Sequence, residues 1–190
     1  MRKAPARTGG EPALNAADVI RIHRAFSVSE CEEIKALAAG RERHPDRFRE
    51  SGEVRGASQV CWVPVKAAPA WLTERVSTLL GEAAAAFDFD IFRPLEDFKL
   101  INYRRGNRVS WHVDCGGGRT STRKLTLTAL LSAPATFEGG VLTIPGQVRE
   151  LHRDIGDVVV FPSYVAHKVT TLTRGARHAL VVWAHGTHFR

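Results

Sequence analysis

The sequence predicts a mainly β protein, an α+β jelly-roll barrel with two helices packed on one side. From Phe98 onward the chain breaks into seven short apolar or alternating runs, separated by turn residues such as Gly116-Gly117-Gly118, Glu138-Gly139-Gly140 and Ile155-Gly156-Asp157. Many short strands at near-regular spacing describe a sandwich or barrel. Before Phe98 lie two stretches of helical periodicity, so the helices form a separate supporting layer. At 190 residues the chain fits one compact domain.

Residues 1–16, rich in Ala, Pro, Gly and Arg, read as a disordered leader, and 17–190 as the single domain. Arg2, Lys3 and Arg7 have no apolar stretch behind them, which excludes a secretory signal. Ala17 to Phe26 predicts a short strand built on Val19, Ile20, Ile22 and Phe26. Ser29 with Glu32 three residues on is a capping-box pattern, opening a helix through Ile34, Leu37 and Ala38 that stops at Gly40. Residues 41–56 are charged, contain few apolar anchors and read as a loop; Ser58 to Pro64 reads as a strand. After Pro69, Leu72, Val76, Leu80, Ala83 and Phe87 recur at helical spacing and would bury one stripe. The later strands are expected at Phe98–Tyr103, Arg108–Val113, Lys124–Ser132, Val141–Ile144, Asp157–Phe161, Lys168–Leu172 and Ala179–Ala184, with a turn at Arg174-Gly175.

Composition narrows the function classes. No apolar run approaches the ~20 residues needed to cross a bilayer, so no membrane association is expected. The net charge of +7 comes from Lys and Arg spread along the chain, in modest clusters at Arg41–Arg43, Arg104-Arg105 and Arg119–Lys124. No aromatics interleave with them to make a base-stacking platform, so a solvated basic surface is the better reading than nucleic-acid binding. Cys31, Cys61 and Cys115 are odd in number and without metal-type spacing, which suits the reducing cytoplasm.

One constellation carries chemistry. His112 and Asp114 are two apart, so at a strand end they project to the same face, with Val113 turned away. His167 begins a later segment, and opposite walls of a barrel could bring it to the same point. Two imidazoles and a carboxylate can hold one face of an Fe(II) ion and leave the other open. Arg177, ten residues past His167, supplies a positive charge for an acidic co-substrate. Each histidine alone reads as an ordinary surface or core residue; the four-part pattern is what is specific. Zinc accepts the same ligands, which keeps a non-enzymatic metal-binding β-barrel module as an alternative.

Around these residues the chain resembles the iron(II)- and 2-oxoglutarate-dependent dioxygenases, in their prolyl-hydroxylase-like (proline/lysine hydroxylase domain) branch. The matching stretches are Tyr103–Asp114, Arg123–Ser132, Phe137–Leu142, Gly156–Ser163, His167–Thr170, Arg174–Arg177 and Trp183, together spanning roughly residues 95–186. The resemblance implies a double-stranded β-helix, a cupin-like jelly roll. It implies His112, Asp114 and His167 as iron ligands and catalytic residues, and Arg177 as the anchor of the distal carboxylate of 2-oxoglutarate. Tyr103 and Thr128 would line the co-substrate pocket, with Thr126 an equal candidate for the hydroxyl that bonds the carboxylate. Arg123, which would meet substrate or a neighbouring acid, and Trp183 are the substrate-side candidates. The activity implied is hydroxylation of a prolyl or other amino-acid residue in a peptide or protein, using O2, giving succinate and CO2, with ascorbate as an optional accessory. A free amino acid or small metabolite is the second substrate class. Relatives that demethylate nucleic acid carry their co-substrate arginine further downstream, which ranks that chemistry low here. The histidines at 23, 44, 152, 185 and 188 have no ligand spacing and receive no role.

Overall fold

The computed structural model describes residues 19–46, 49–50, 53–54, 58–92, 95–147 and 150–189. The expected leader, residues 1–16, lies outside these.

Strand β1 (Ile20–Ile22) leads into helix α1 (Val28–Ala36). The capping box forms two residues earlier than the sequence suggested. Ser27 is the N-cap: its hydroxyl accepts from the Glu30 N–H at 3.2 Å, and the Glu30 carboxylate accepts from the Ser27 N–H at 2.8 Å. Ser27 and Ser29 both start an S-x-x-E pattern, and tertiary structure chooses between them. Glu30 also pairs with Arg75 on the second helix at 3.0 Å, which a start at Ser29 would not use. The helix ends at Ala36, with Leu37 as its C-cap, rather than running on to Gly40.

The stretch read as a loop contains strands. They are β2 (His44–Pro45) and the small hairpin of β3 (Arg49–Glu50) and β4 (Glu53–Val54). β5 (Gln59–Val63) follows as expected. Helix α2 (Ala70–Ala86) buries Leu72, Val76, Leu80 and Ala83 of the predicted stripe, adds Leu79 and Ala84 beside them, and has Phe87 as its C-cap.

The barrel strands are β6 (Phe98–Arg104), β7 (Val109–His112), β8 (Arg123–Leu130), β9 (Phe137–Gly139), β10 (Leu142–Thr143), β11 (Val158–Pro162), β12 (His167–Val169) and β13 (Leu172–His185). Two expectations give way here. The segment at Glu138-Gly139 pairs with β13 instead of only turning. Arg174-Gly175 also does not end a strand; β13 runs through it with a shift of register between Leu172 and Arg174. Gly175, at φ 75°, passes the Thr136 carbonyl so closely that a Cβ would sit 2.1 Å from it. A bend with no room for a side chain reads in sequence like a turn.

The large sheet runs β1-β11-β8-β13-β6-β5-β2, with β9 added beside β13. The small sheet is β10-β12-β7, and the pairings in both sheets are antiparallel. Side-chain alternation divides the large sheet into two faces. Phe98, Leu100, Leu125, Leu127, Ala129, Val158, Val160, Leu180 and Val182 join one core with α1 and α2. Their neighbours Ile101, Tyr103, Val159, Phe161 and Ala179 point the other way, into a second core with Leu142, Val169 and Leu172 beneath the small sheet. The sandwich is a double-stranded β-helix. No helix among the described residues is long and apolar enough to cross a membrane.

Candidate metal centre and its cavity

His112 ends β7 and His167 opens β12. These strands are neighbours, not opposite walls, and the two histidines are direct register partners. Their ring centroids lie 4.1 Å apart. Asp114 follows in the bend after β7, where its N–H and that of Cys115 donate to the Ser163 carbonyl at 2.8 and 3.1 Å. His112 Nε2 is 3.6 Å from one Asp114 oxygen and His167 Nε2 is 3.5 Å from the other. The three side chains each present a ligand atom within 4.8 Å of the others.

The orientation of both rings is fixed from behind. His112 Nδ1 lies 2.9 Å from the Ser110 carbonyl and His167 Nδ1 lies 3.0 Å from the Val165 carbonyl. A carbonyl only accepts, so each Nδ1 carries a proton, and in the neutral ring that leaves Nε2 to present its lone pair to the shared point. Burial lowers the His167 pKa, with His112 acting the same way, against the opposing charge of Asp114. A neutral ring is the form a metal needs.

Asp114 is gripped as well. Burial would raise its pKa, but the charge that His167 and His112 carry when protonated, the Thr126 hydroxyl and the Trp183 indole outweigh that and hold the carboxyl below its usual range. Thr126 Oγ1 donates to Asp114 Oδ2 at 2.7 Å and lies 3.0 Å from the Ser163 hydroxyl. Thr126, a candidate for the co-substrate in sequence, is therefore spent on the metal ligand. The Trp183 N–H is buried without a well-formed hydrogen bond, yet near enough to Asp114 to favour its charge.

These groups open into a cavity of about 290 Å³ that also receives Tyr103, Thr128, Arg177 and Arg123. Arg177 and Tyr103 are register partners on β13 and β6, and the guanidinium lies 5.1 Å from the Tyr103 ring centroid. Burial pushes the Tyr103 phenol up to about 12, against the pull of Arg177. Arg177 is 2% exposed, and among the described residues no carboxylate pairs with it. Burial lowers its pKa, but a guanidinium stays charged. A buried cation without a counter-ion is costly. The cavity is therefore built for an anion at this end. Gly140 makes the space: at φ 63°, a Cβ there would sit 3.0 Å from Arg177 Cδ.

The substrate-side candidates sit at the mouth, already engaged. Arg123 makes a bidentate pair with Glu96 at 2.6 and 2.8 Å, stacks 3.7 Å over the Trp183 ring, and donates to the Asp114 carbonyl at 3.3 Å. His185 bonds the same Glu96 at 2.9 Å. Lys99 pairs with Asp46 at 2.9 Å and approaches the rings of Trp62 and Trp183. Sequence reading missed Glu96, Trp62, Lys99, Asp46 and Ser163. Ser163 falls in a matching stretch but without a role of its own, and the other four have no motif spacing; the fold brings them to the site from separate segments. His152, given no role, lies beside Arg177.

The donor set, two imidazoles and one carboxylate on one side of an open cavity, fits Fe(II), and a buried guanidinium that no carboxylate among the described residues pairs with fits the far end of a dicarboxylate. Residues 98–185 match the family model described as the 2OG-Fe(II) oxygenase superfamily. A PKHD-type hydroxylase of Synechococcus sp. (strain CC9605) is 31% identical over 111 residues, 57% of this chain and 50% of that protein. The chain spans about half the length of the curated relatives it matches. Among solved structures, a Pseudomonas putida prolyl-4-hydroxylase has a TM-score of 0.71 at 18% identity, covering 89% of this chain and 92% of that one. A Trichoplax adhaerens prolyl hydroxylase, in complex with a hypoxia inducible factor oxygen degradation domain peptide fragment, gives 0.70 at 15% identity, covering 88% and 83%. Both show the same fold.

Proposed function

We propose that this protein is a 2OG-Fe(II) oxygenase, the superfamily whose model residues 98–185 match, and that it hydroxylates a prolyl or other amino-acid residue of a peptide or protein. The observation that carries the reading is one cavity holding both a His-Asp-His set and a buried guanidinium that has no counter-ion among the described residues. A zinc-holding structural module explains the first and leaves the second a pure cost.

His112, Asp114 and His167 would hold Fe(II), and Arg177 would hold the distal carboxylate of 2-oxoglutarate beside Tyr103 and Thr128. When bound, iron and 2-oxoglutarate supply oxidative decarboxylation by O2, giving succinate and CO2, and the transfer of one oxygen atom to a substrate C–H bond. The chain's own contribution is placement. The Ser110 and Val165 carbonyls hold the imidazoles, Thr126 and Ser163 hold Asp114, and the apolar walls Val109, Leu142, Phe161 and Val169 exclude water from the inner cavity.

The mouth favours a peptide over a free amino acid. Lys99 and Asp46 neutralise each other, as do Arg123 and Glu96. Among the described residues of the mouth no spare charge meets a free ammonium or carboxylate, whereas Trp62 and Val113, both partly exposed, offer apolar surface. We place the protein in the cytoplasm, in keeping with its three free thiols.

The test is succinate release with Fe(II), O2, 2-oxoglutarate and a library of proline-containing peptides, read together with peptide mass. A mass gain of one oxygen atom, lost in Asp114→Ala and Arg177→Met, is expected. Arg177→Met should still bind metal. Succinate release that survives Asp114→Ala, or its absence with every peptide and small molecule offered, would refute the assignment.

A further inference from the structure

The geometry points to His152 as a positioning residue that aims the Arg177 guanidinium with a neutral nitrogen, leaving its whole charge for an incoming carboxylate. This rests on the reading of Arg177 given above and extends it to a residue with no motif.

His152 lies in the loop between β10 and β11. Its Nε2 is 3.1 Å from the carbonyl of Thr128, a cavity-lining residue of β8. A carbonyl cannot donate, so Nε2 carries the proton and Nδ1 is left as an acceptor. Nδ1 faces Arg177 Nη2 at 3.5 Å, a long contact that the guanidinium N–H donates. The ring thus bridges two strands of the large sheet, from the backbone of β8 to the side chain of β13. It also lines a second cavity of about 140 Å³, on which Arg177, Gly140, Phe137 and Glu150 border, and that cavity leaves part of its surface accessible. Burial, then the Arg177 charge, push its pKa down to about 3, so the ring is neutral across ordinary pH.

Charge is what makes this arrangement informative. An aspartate or glutamate at 152 would hold Arg177 more firmly, but it would also neutralise it, and a dicarboxylate would then find no cation in the cavity. A leucine would leave the charge and remove the aim. A neutral acceptor does neither. The order of groups behind Arg177 is therefore the Thr128 carbonyl, the His152 ring and the guanidinium, and only the guanidinium faces the cavity that contains the His-Asp-His set.

Three variants test this on the full chain: His152→Asn, which keeps an acceptor oxygen near the Nδ1 position, His152→Leu, which removes it, and His152→Asp, which charges it. The readout is the 2-oxoglutarate dissociation constant by calorimetry with Mn(II) bound, alongside Mn(II) affinity and thermal melting. The expected result is 2-oxoglutarate binding within about threefold of wild type for Asn. Leu should weaken it roughly tenfold and Asp roughly a hundredfold or more, with Mn(II) affinity unchanged in all three. Equal weakening in all three, in step with melting temperature, would show a merely structural role and overturn the proposal. So would wild-type affinity in His152→Asp. If wild type itself binds no 2-oxoglutarate, it is the reading of Arg177 that fails.

Discussion

Replacing Thr126 with Val tests how the fold holds its metal ligand. The substitution keeps the shape of the side chain and removes one hydroxyl, which donates to Asp114 Oδ2 at 2.7 Å from a position 1% exposed. A hydrogen bond to a buried carboxylate contributes about 1.5–3 kcal/mol. At about 1.4 kcal/mol per tenfold, that corresponds to roughly a 10- to 100-fold loss of metal affinity. The same range is typical when the group orienting a metal ligand is removed. Two independent routes thus give one magnitude. Because the Ser163 hydroxyl lies 3.0 Å from that of Thr126, the double variant with Ser163→Ala removes the fallback donor and should lie at the upper end. The assay is Mn(II) calorimetry, followed by 2-oxoglutarate titration at saturating Mn(II). Metal affinity should fall while 2-oxoglutarate affinity at saturation holds. Unchanged metal affinity with weakened 2-oxoglutarate binding would refute the assignment and return Thr126 to the co-substrate pocket.

Two other perturbations follow from contacts already described. Gly140→Ala places a Cβ 2.9 Å from Leu172 Cδ1 and 3.0 Å from Arg177 Cδ at φ 63°; it should cost about 1 kcal/mol in backbone strain and weaken 2-oxoglutarate binding by roughly tenfold or more through a displaced Arg177, with metal affinity intact by calorimetry. Asp157 accepts from the backbone N–H groups of Arg24, Arg153 and Asp154 at 2.9, 2.8 and 3.0 Å and pairs with His23 at 2.8 Å. Burial would raise its pKa, but these donors hold it below its usual range. A depressed folded pKa means stability that is present above the unfolded value of about 3.9 and lost as pH falls through the folded one. Asp157→Asn should therefore destabilise the protein by about 2 kcal/mol at neutral pH in urea melts, and the deficit should shrink on acidification below about pH 4; a deficit independent of pH would rule out the charge as its source.

Much of this was already present in the order of residues. The period-two runs after Phe98 and the helical stripe from Leu72 to Phe87 report which faces must leave water, and the structure buries those faces. His112 and Asp114 were legible as a pair because a strand repeats every two residues, so covalent spacing alone aligns them; His167 joined them through the family resemblance, and the register of β12 against β7 sets it beside His112. Local patterns ran out where two local answers were equally good. Ser27 and Ser29 both begin a capping box, and the Arg75 pairing of Glu30 favours the earlier one. Arg174-Gly175 has the composition of a turn, and the close approach of the Thr136 carbonyl makes it a bend within a strand instead.

The sequence by itself determined the apolar faces, the helical layer and the shared direction of His112 and Asp114, because these depend on spacings of a few residues along one strand or helix. Only the tertiary structure decided what surrounds each ligand. Thr126 serves Asp114, His152 stands behind Arg177, and Glu96 holds Arg123, across sequence separations of 12, 25 and 27 residues. Such partners are set by sheet register and by a loop crossing behind a strand, and that geometry leaves no periodic trace in the chain.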